Sequence, residues 1–173
     1  MCTLDAFKVD LQRLLDAETV LRFHLDDAYF EAIGAPDVRK GQLDTMLTIR
    51  KLTGGFELHF HTEGVVQVAC DLCLDDMEQP VVADDCVMAK FGTTDDADDD
   101  TVTVDERNPV LDVSWLIYEF VELAIPVRHV HEPGGCNSAM TQLLHEHSSG
   151  QRDAGNDTQT ADPRWERLKN LKV

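Results

Sequence analysis

Cys70-Asp-Leu-Cys73 puts two thiols three positions apart, inside the stretch VACDLCLDDM. That spacing serves two chemistries. A tight turn can aim both sulfurs at one metal ion and fill half of a tetrahedral site. Alternatively, one thiolate attacks a disulfide and the other resolves it. A third reading has no chemistry in it, because an unpaired cysteine buries readily as a small apolar side chain.

A metal needs a second pair of ligands. His131 and Cys136 flank Glu132-Pro133-Gly134-Gly135, a turn sequence that folds the chain back on itself. With Cys70 and Cys73 they make a set of three thiolates and one imidazole. Four protein ligands suit a closed structural zinc site of the knuckle type, whereas a catalytic zinc keeps an open position. His129 competes with His131, since strand alternation points both to one side and spacing does not choose between them. His145 and His147 are further candidates, in a polar stretch that favours solvent. The redox reading is weaker: Asp71, Asp75 and Asp76 surround the thiols, negative charge raises a thiol pKa, and no convincing helix follows the motif to offset it. Cys86 reads as a core residue and Cys2 as incidental. The sequence has no nucleophile elbow, phosphate-cradling loop or zinc-peptidase helix motif. The expectation is therefore no enzyme and no small-molecule substrate.

The elements that must hold these residues are short strands joined by turns. Residues 19–27 and 42–52 alternate apolar and polar side chains, with Leu43, Leu47 and Ile49 on one face. Gly54-Gly55 reads as a turn, after which Phe56, Leu58 and Phe60 alternate with Glu57, His59 and His61. The two histidines on that polar face read as a solvated pair. Gly64 predicts another turn into a strand at 65–70, and 81–91 is one more strand. TVTV (101–104) predicts an edge strand. Helical spacing of Val113, Leu116, Ile117, Phe120 and Ala124 predicts an amphipathic helix over 112–125, with Asp112 as N-cap and Pro126 after its end. Residues 28–34 predict a short helix closed by Gly34. The predicted architecture is α+β: a mainly antiparallel sheet with the 112–125 helix packed on one face. Residues 1–147 form the single domain, 148–161 a polar linker, and 162–173 a short C-terminal helix with Trp165, Leu168 and Leu171 on one side.

Composition bounds the partners. The 173 residues include 33 acids against 15 bases, a net charge of −18, which disfavours coating of nucleic acid by bulk charge. Residues 93–106 carry seven acids and no bases, but lack the glycine and terminal glutamate of a calcium loop. An acidic surface is solvating, and it also suits a basic partner. Aromatics make up only 6 % of the chain, so the core is expected to be mainly Val, Leu, Ile and Ala. No targeting segment or membrane span is apparent, so the expected location is the cytoplasm, where a disulfide framework is not expected.

Three stretches, GVVQVACDLCLDDMEQPV, IYEFVELAIPVRHVHEPGGC and the ending DPRWERLKNL, together resemble the bacterial YceD family. The resemblance implies a non-enzymatic factor linked to accumulation of large-subunit (23S) ribosomal RNA. The partner would be ribosomal RNA itself or a basic ribosomal or assembly protein. It also favours His131 over His129, because the family's third ligand-type residue falls five positions after the proline that ends the helix, here Pro126. Cys70, Cys73 and Cys136 match the other positions. Extra cysteines that some relatives carry near the C-terminus are lacking here. The alternatives are a thiol–disulfide protein using Cys70 and Cys73, or a metal-free protein-binding domain.

Overall fold

A computed structural model describes residues 4–92 and 101–148. The expected linker from 149 onward, the expected helix at 162–173 and the acidic run 93–100 lie outside these residues, as does Cys2. The fold is α+β, with a five-stranded sheet in the order β2-β3-β4-β5-β6 and a two-stranded β1-β7 ribbon. The strands are β1 (Lys8–Asp10), β2 (Glu18–Leu25), β3 (Lys40–Leu52), β4 (Gly55–Ala69), β5 (Asp76–Phe91), β6 (Thr101–Val104) and β7 (Val110–Asp112). The helices are α1 (Asp27–Ile33), α2 (Ser114–Ala124) and α3 (Ser138–His147). Residues up to Asn137 belong to one compact unit; α3 belongs to a second, beginning at Ser138. No helix among the described residues is long and apolar enough to cross a membrane.

Alternation decides which face of the sheet is covered. Strand side chains point to opposite faces in turn, and directly paired residues share a face. Leu47 pairs with Phe60, Ile49 with Leu58 and Thr45 with Thr62, and all six are buried. Burial of each of the large apolar side chains stabilises by about 2 kcal/mol. The Thr45 and Thr62 hydroxyls hydrogen-bond to each other at 2.9 Å, which makes their burial tolerable. α2 covers this face, with Phe120 against Phe60 at a ring-centroid distance of 5.2 Å.

The aromatics are few but concentrated. Phe7 stacks on Phe23 and also meets Tyr29, each at 5.0 Å, and Tyr29 meets Phe30 at 5.2 Å. Thus the core is more aromatic than composition suggests. The Tyr29 hydroxyl donates to the Ser114 carbonyl at 2.7 Å and ties α1 to the start of α2. The β1-β7 ribbon fixes that start too, since the Val113 N–H donates to the Phe7 carbonyl at 3.0 Å.

Some local expectations change. Asp112 accepts from the Ser114 N–H at 2.9 Å, but the N-cap position itself is Val113, one residue later. The deepest helix face is Val113, Ser114, Ile117, Tyr118 and Val121, a rotation from the predicted stripe. Gly64 makes no turn, because β4 runs through it. Its φ is +153°, and a Cβ there would collide with the Gln42 carbonyl oxygen and come within 2.6 Å of Leu43 Cα. The glycine is needed for close approach of two strands. β6 is the expected edge strand, and it joins β5 in parallel. Cys86 is exposed, which corrects its reading as core. Its position in β5 pairs with His59 on the open face of the sheet.

Candidate metal centre

Cys70 follows the last residue of β4, and Cys73 lies in the loop leading into β5. The loop closes on itself. The Cys70 N–H donates to the Asp75 carbonyl, and the Leu74 N–H donates to the Cys70 carbonyl, both at 2.9 Å. Leu74 takes a φ of +63°, a left-handed conformation that a leucine adopts only when the surroundings impose it. The Leu72 N–H points at Cys70 Sγ, 3.4 Å away. These bonds form a knuckle with both thiols turned inward: Cys70 is 0 % exposed and Cys73 is 2 % exposed.

The segment after α2 supplies the other half, and Asp71 brings it in. The Asp71 N–H donates to the His129 carbonyl at 3.0 Å, while the His129 N–H donates to the Asp71 carboxylate at 2.8 Å. This reciprocal pair works like one rung of a ladder between two remote segments. Beyond it the chain turns, with Gly134 at φ +90° and the Gly135 N–H donating to the Glu132 carbonyl at 2.8 Å. The turn returns Cys136 to His131.

All four ligand-type residues come together. The donor atoms of Cys70, Cys73, His131 and Cys136 lie within 4.8 Å of one another. Cys70 Sγ is 3.8 Å from Cys136 Sγ. His131 Nδ1 is 3.4 Å from Cys73 Sγ and 3.8 Å from Cys136 Sγ. A tetrahedral ion with bonds of about 2.0–2.3 Å separates its donors by roughly 3.3–3.8 Å. The observed separations fall in or close to that range, and the four residues could hold a metal ion.

Electrostatics favour a cation here. Burial opposes ionisation of Cys70, but the N–H groups of Cys73, His131 and Leu72 pull its thiol down to about 6. Burial, then the neighbouring Cys70 and Cys73, push Cys136 up to about 11. One thiolate is thus readily accommodated, and a further one is repelled until positive charge enters. The lowered Cys70 differs from the expectation that nearby aspartates would raise the thiols. Asp71 instead directs its carboxylate to His129.

His129 takes a different role. Its Nδ1 lies 3.1 Å from the Pro126 carbonyl oxygen and its Nε2 lies 3.6 Å from Asp71. His145 and His147 lie on α3, in the second unit. On the open sheet face, His61 pairs with Asp84 at 2.6 Å and His59 with Glu57 at 3.1 Å, so these half-buried histidines have carboxylate partners as well as solvent. The residue that sequence reasoning missed is Asp71. Its signal was a short carboxylate beside the first cysteine of a turn, a position from which it readily accepts a backbone N–H.

No curated protein and no solved structure matches the chain. Residues 58–172 match the family described as "Large ribosomal RNA subunit accumulation protein YceD". That span includes both halves of the Cys/His cluster, and the chain belongs to the YceD family.

Proposed function

We propose that this protein is a non-enzymatic ribosome-biogenesis factor. It acts in the cytoplasm and supports accumulation of large-subunit ribosomal RNA. Membership of a family named for that role carries the reading, over residues 58–172. In this reading Cys70, Cys73, His131 and Cys136 hold a structural zinc. The metal would supply folding free energy by joining the β4–β5 loop to the segment after α2. Four convergent donors leave no position for a substrate, which supports a structural rather than a hydrolytic ion.

The partner is a basic ribosomal or assembly protein, or a local feature of ribosomal RNA. The net charge of −18 favours the protein. Association of this kind weakens with salt, since exposed charges are screened over about 8 Å at physiological ionic strength.

The redox alternative draws on the Cys70 thiol at about 6. A thiolate near neutrality is also what a metal ligand requires, so this does not favour redox over zinc. Exchange additionally needs a partner disulfide to reach the sulfur, and Cys70 and Cys73 are both buried.

The test is depletion of the protein, followed by measurement of large- against small-subunit ribosomal RNA and sedimentation of the subunits. The expected result is a lower large-subunit share, restored by the wild-type chain and not by Cys70→Ser/Cys73→Ser. Unchanged RNA ratios and a normal subunit profile would overturn the reading.

A further inference from the structure

The sheet face opposite α2 carries a second convergence of ligand atoms. Glu57 and His59 lie two positions apart on β4, so both project from this face. Cys86 on β5 pairs directly with His59. Directly opposed residues in an antiparallel pair hold their Cβ atoms about 4.5–5.5 Å apart, so the three side chains meet without any backbone movement. His59 Nε2 is 3.1 Å from Glu57 Oε2 and 3.8 Å from Cys86 Sγ. All three donor atoms lie within 4.8 Å of one another.

We propose that Glu57, His59 and Cys86 form a second, exchangeable site for a borderline-soft divalent cation of the zinc, cobalt or nickel class, with its remaining coordination position open to solvent or to a partner's side chain. The donor set decides the class of ion. One thiolate, one imidazole and one carboxylate suit these ions, whereas calcium and magnesium want oxygen donors alone. Three protein ligands rather than four leave a vacant position. A concavity of about 250 Å³ opens beside the cluster, lined in part by Met46, Thr48, His61 and Asp84, and gives room for that further ligand.

The surroundings are consistent with this division of roles. His61, the next histidine on the same strand face, is engaged by Asp84 at 2.6 Å, so it belongs to a different pair. Arg50 approaches Glu57 at 3.8 Å, which works against a cation, but its guanidinium is held by Glu18 at 2.8 Å on the other side. Glu57 therefore has only a distant competitor. Exposure of Cys86 makes the site accessible, unlike the buried pair Cys70 and Cys73, and binding there would be weaker and faster to exchange.

The test is iodoacetamide labelling of the full chain with and without micromolar zinc, read cysteine by cysteine by peptide mass spectrometry. Zinc is expected to slow labelling of Cys86 at least tenfold in the wild type and in His61→Gln, and to have no effect on Cys86 in His59→Gln. Glu57→Gln should need more zinc for the same protection. His59, His61 and Glu57 lie on the solvent face, so these variants leave the core untouched. The peptides containing Cys70, Cys73 and Cys136 report the other cluster separately, so failure at one site does not disguise the other. Labelling of Cys86 that ignores zinc would overturn the proposal. So would protection that survives in His59→Gln, or protection that is lost in His61→Gln.

Discussion

Cys73 Sγ lies 3.4 Å from His131 Nδ1, although 58 positions separate them in the chain. His129, two residues nearer in sequence, turns instead to the Pro126 carbonyl and to Asp71. The difference predicts a clean pair of variants. With zinc in the cluster as proposed, His131→Ala should lose it, and stability should fall with it, because metal binding and folding are linked. His129→Ala should keep that zinc. Elemental analysis after dialysis, with thermal melts of each variant, checks both outcomes.

Asp71 offers a prediction that separates positioning from ligation. Its backbone N–H and its carboxylate both engage His129, so it draws the segment carrying His131 and Cys136 up to the knuckle. Asp71→Ala removes no sulfur or imidazole. It should still lower zinc affinity by about 10–100-fold, the usual cost of losing an outer support for metal ligands. Competition with a chelator of known affinity measures this. An unchanged affinity would make Asp71 dispensable to the site.

The two halves of the cluster were legible because turns that bring ligands together have a local signature: Cys-x-x-Cys in one case, Pro-Gly-Gly between His131 and Cys136 in the other. What joins the halves was not legible. The Asp71–His129 rung is a tertiary hydrogen-bond pair, and neither residue type announces its partner. The alternating strands 42–52 and 56–62 were readable for the same local reason, since period-two patterning reports a half-buried sheet. Cys86 was misread because residue type was weighed above parity. In β5, Ala83 and Ala89 are buried while Asp84, Cys86 and Met88 are exposed, so Cys86 belongs to the open face by position alone. The parallel pairing of β6 with β5 had no signal in TVTV, because strand direction depends on the connection and not on the four residues.

Gly64 shows how a residue read as a turn serves a continuous strand. Its φ of +153° disfavours any side chain, and an added Cβ would meet the β3 backbone at Gln42 and Leu43. Strain and overlap act together here, and both are among the mechanisms that give large single-site effects. Gly64→Ala should destabilise by at least about 2 kcal/mol. Urea unfolding followed by circular dichroism checks it, with Gly54→Ala as the comparison. Gly54 also has a positive φ, +96°, but nothing lies within 4 Å of its added Cβ, so its variant should cost less.

His61 and Asp84 face each other across β4 and β5, with Nδ1 2.6 Å from the carboxylate. The hydrogen bond to Asp84 raises the imidazole above its ordinary 6.5, burial opposes that in part, and the charges of Asp84 and Glu63 add to the rise. The sign of the pH effect follows from linkage. A histidine whose folded pKa lies above its unfolded value stabilises the fold fully below about 6.5, and that contribution is lost as pH rises through the raised value. The pair is exposed, so the contribution stays within about 1 kcal/mol. Titration of the imidazole by nuclear magnetic resonance should place His61 above 6.5, and Asp84→Asn should bring it back toward that value. If His61 titrates at or below 6.5, and Asp84→Asn leaves it there, the short cross-strand bond does not hold the proton.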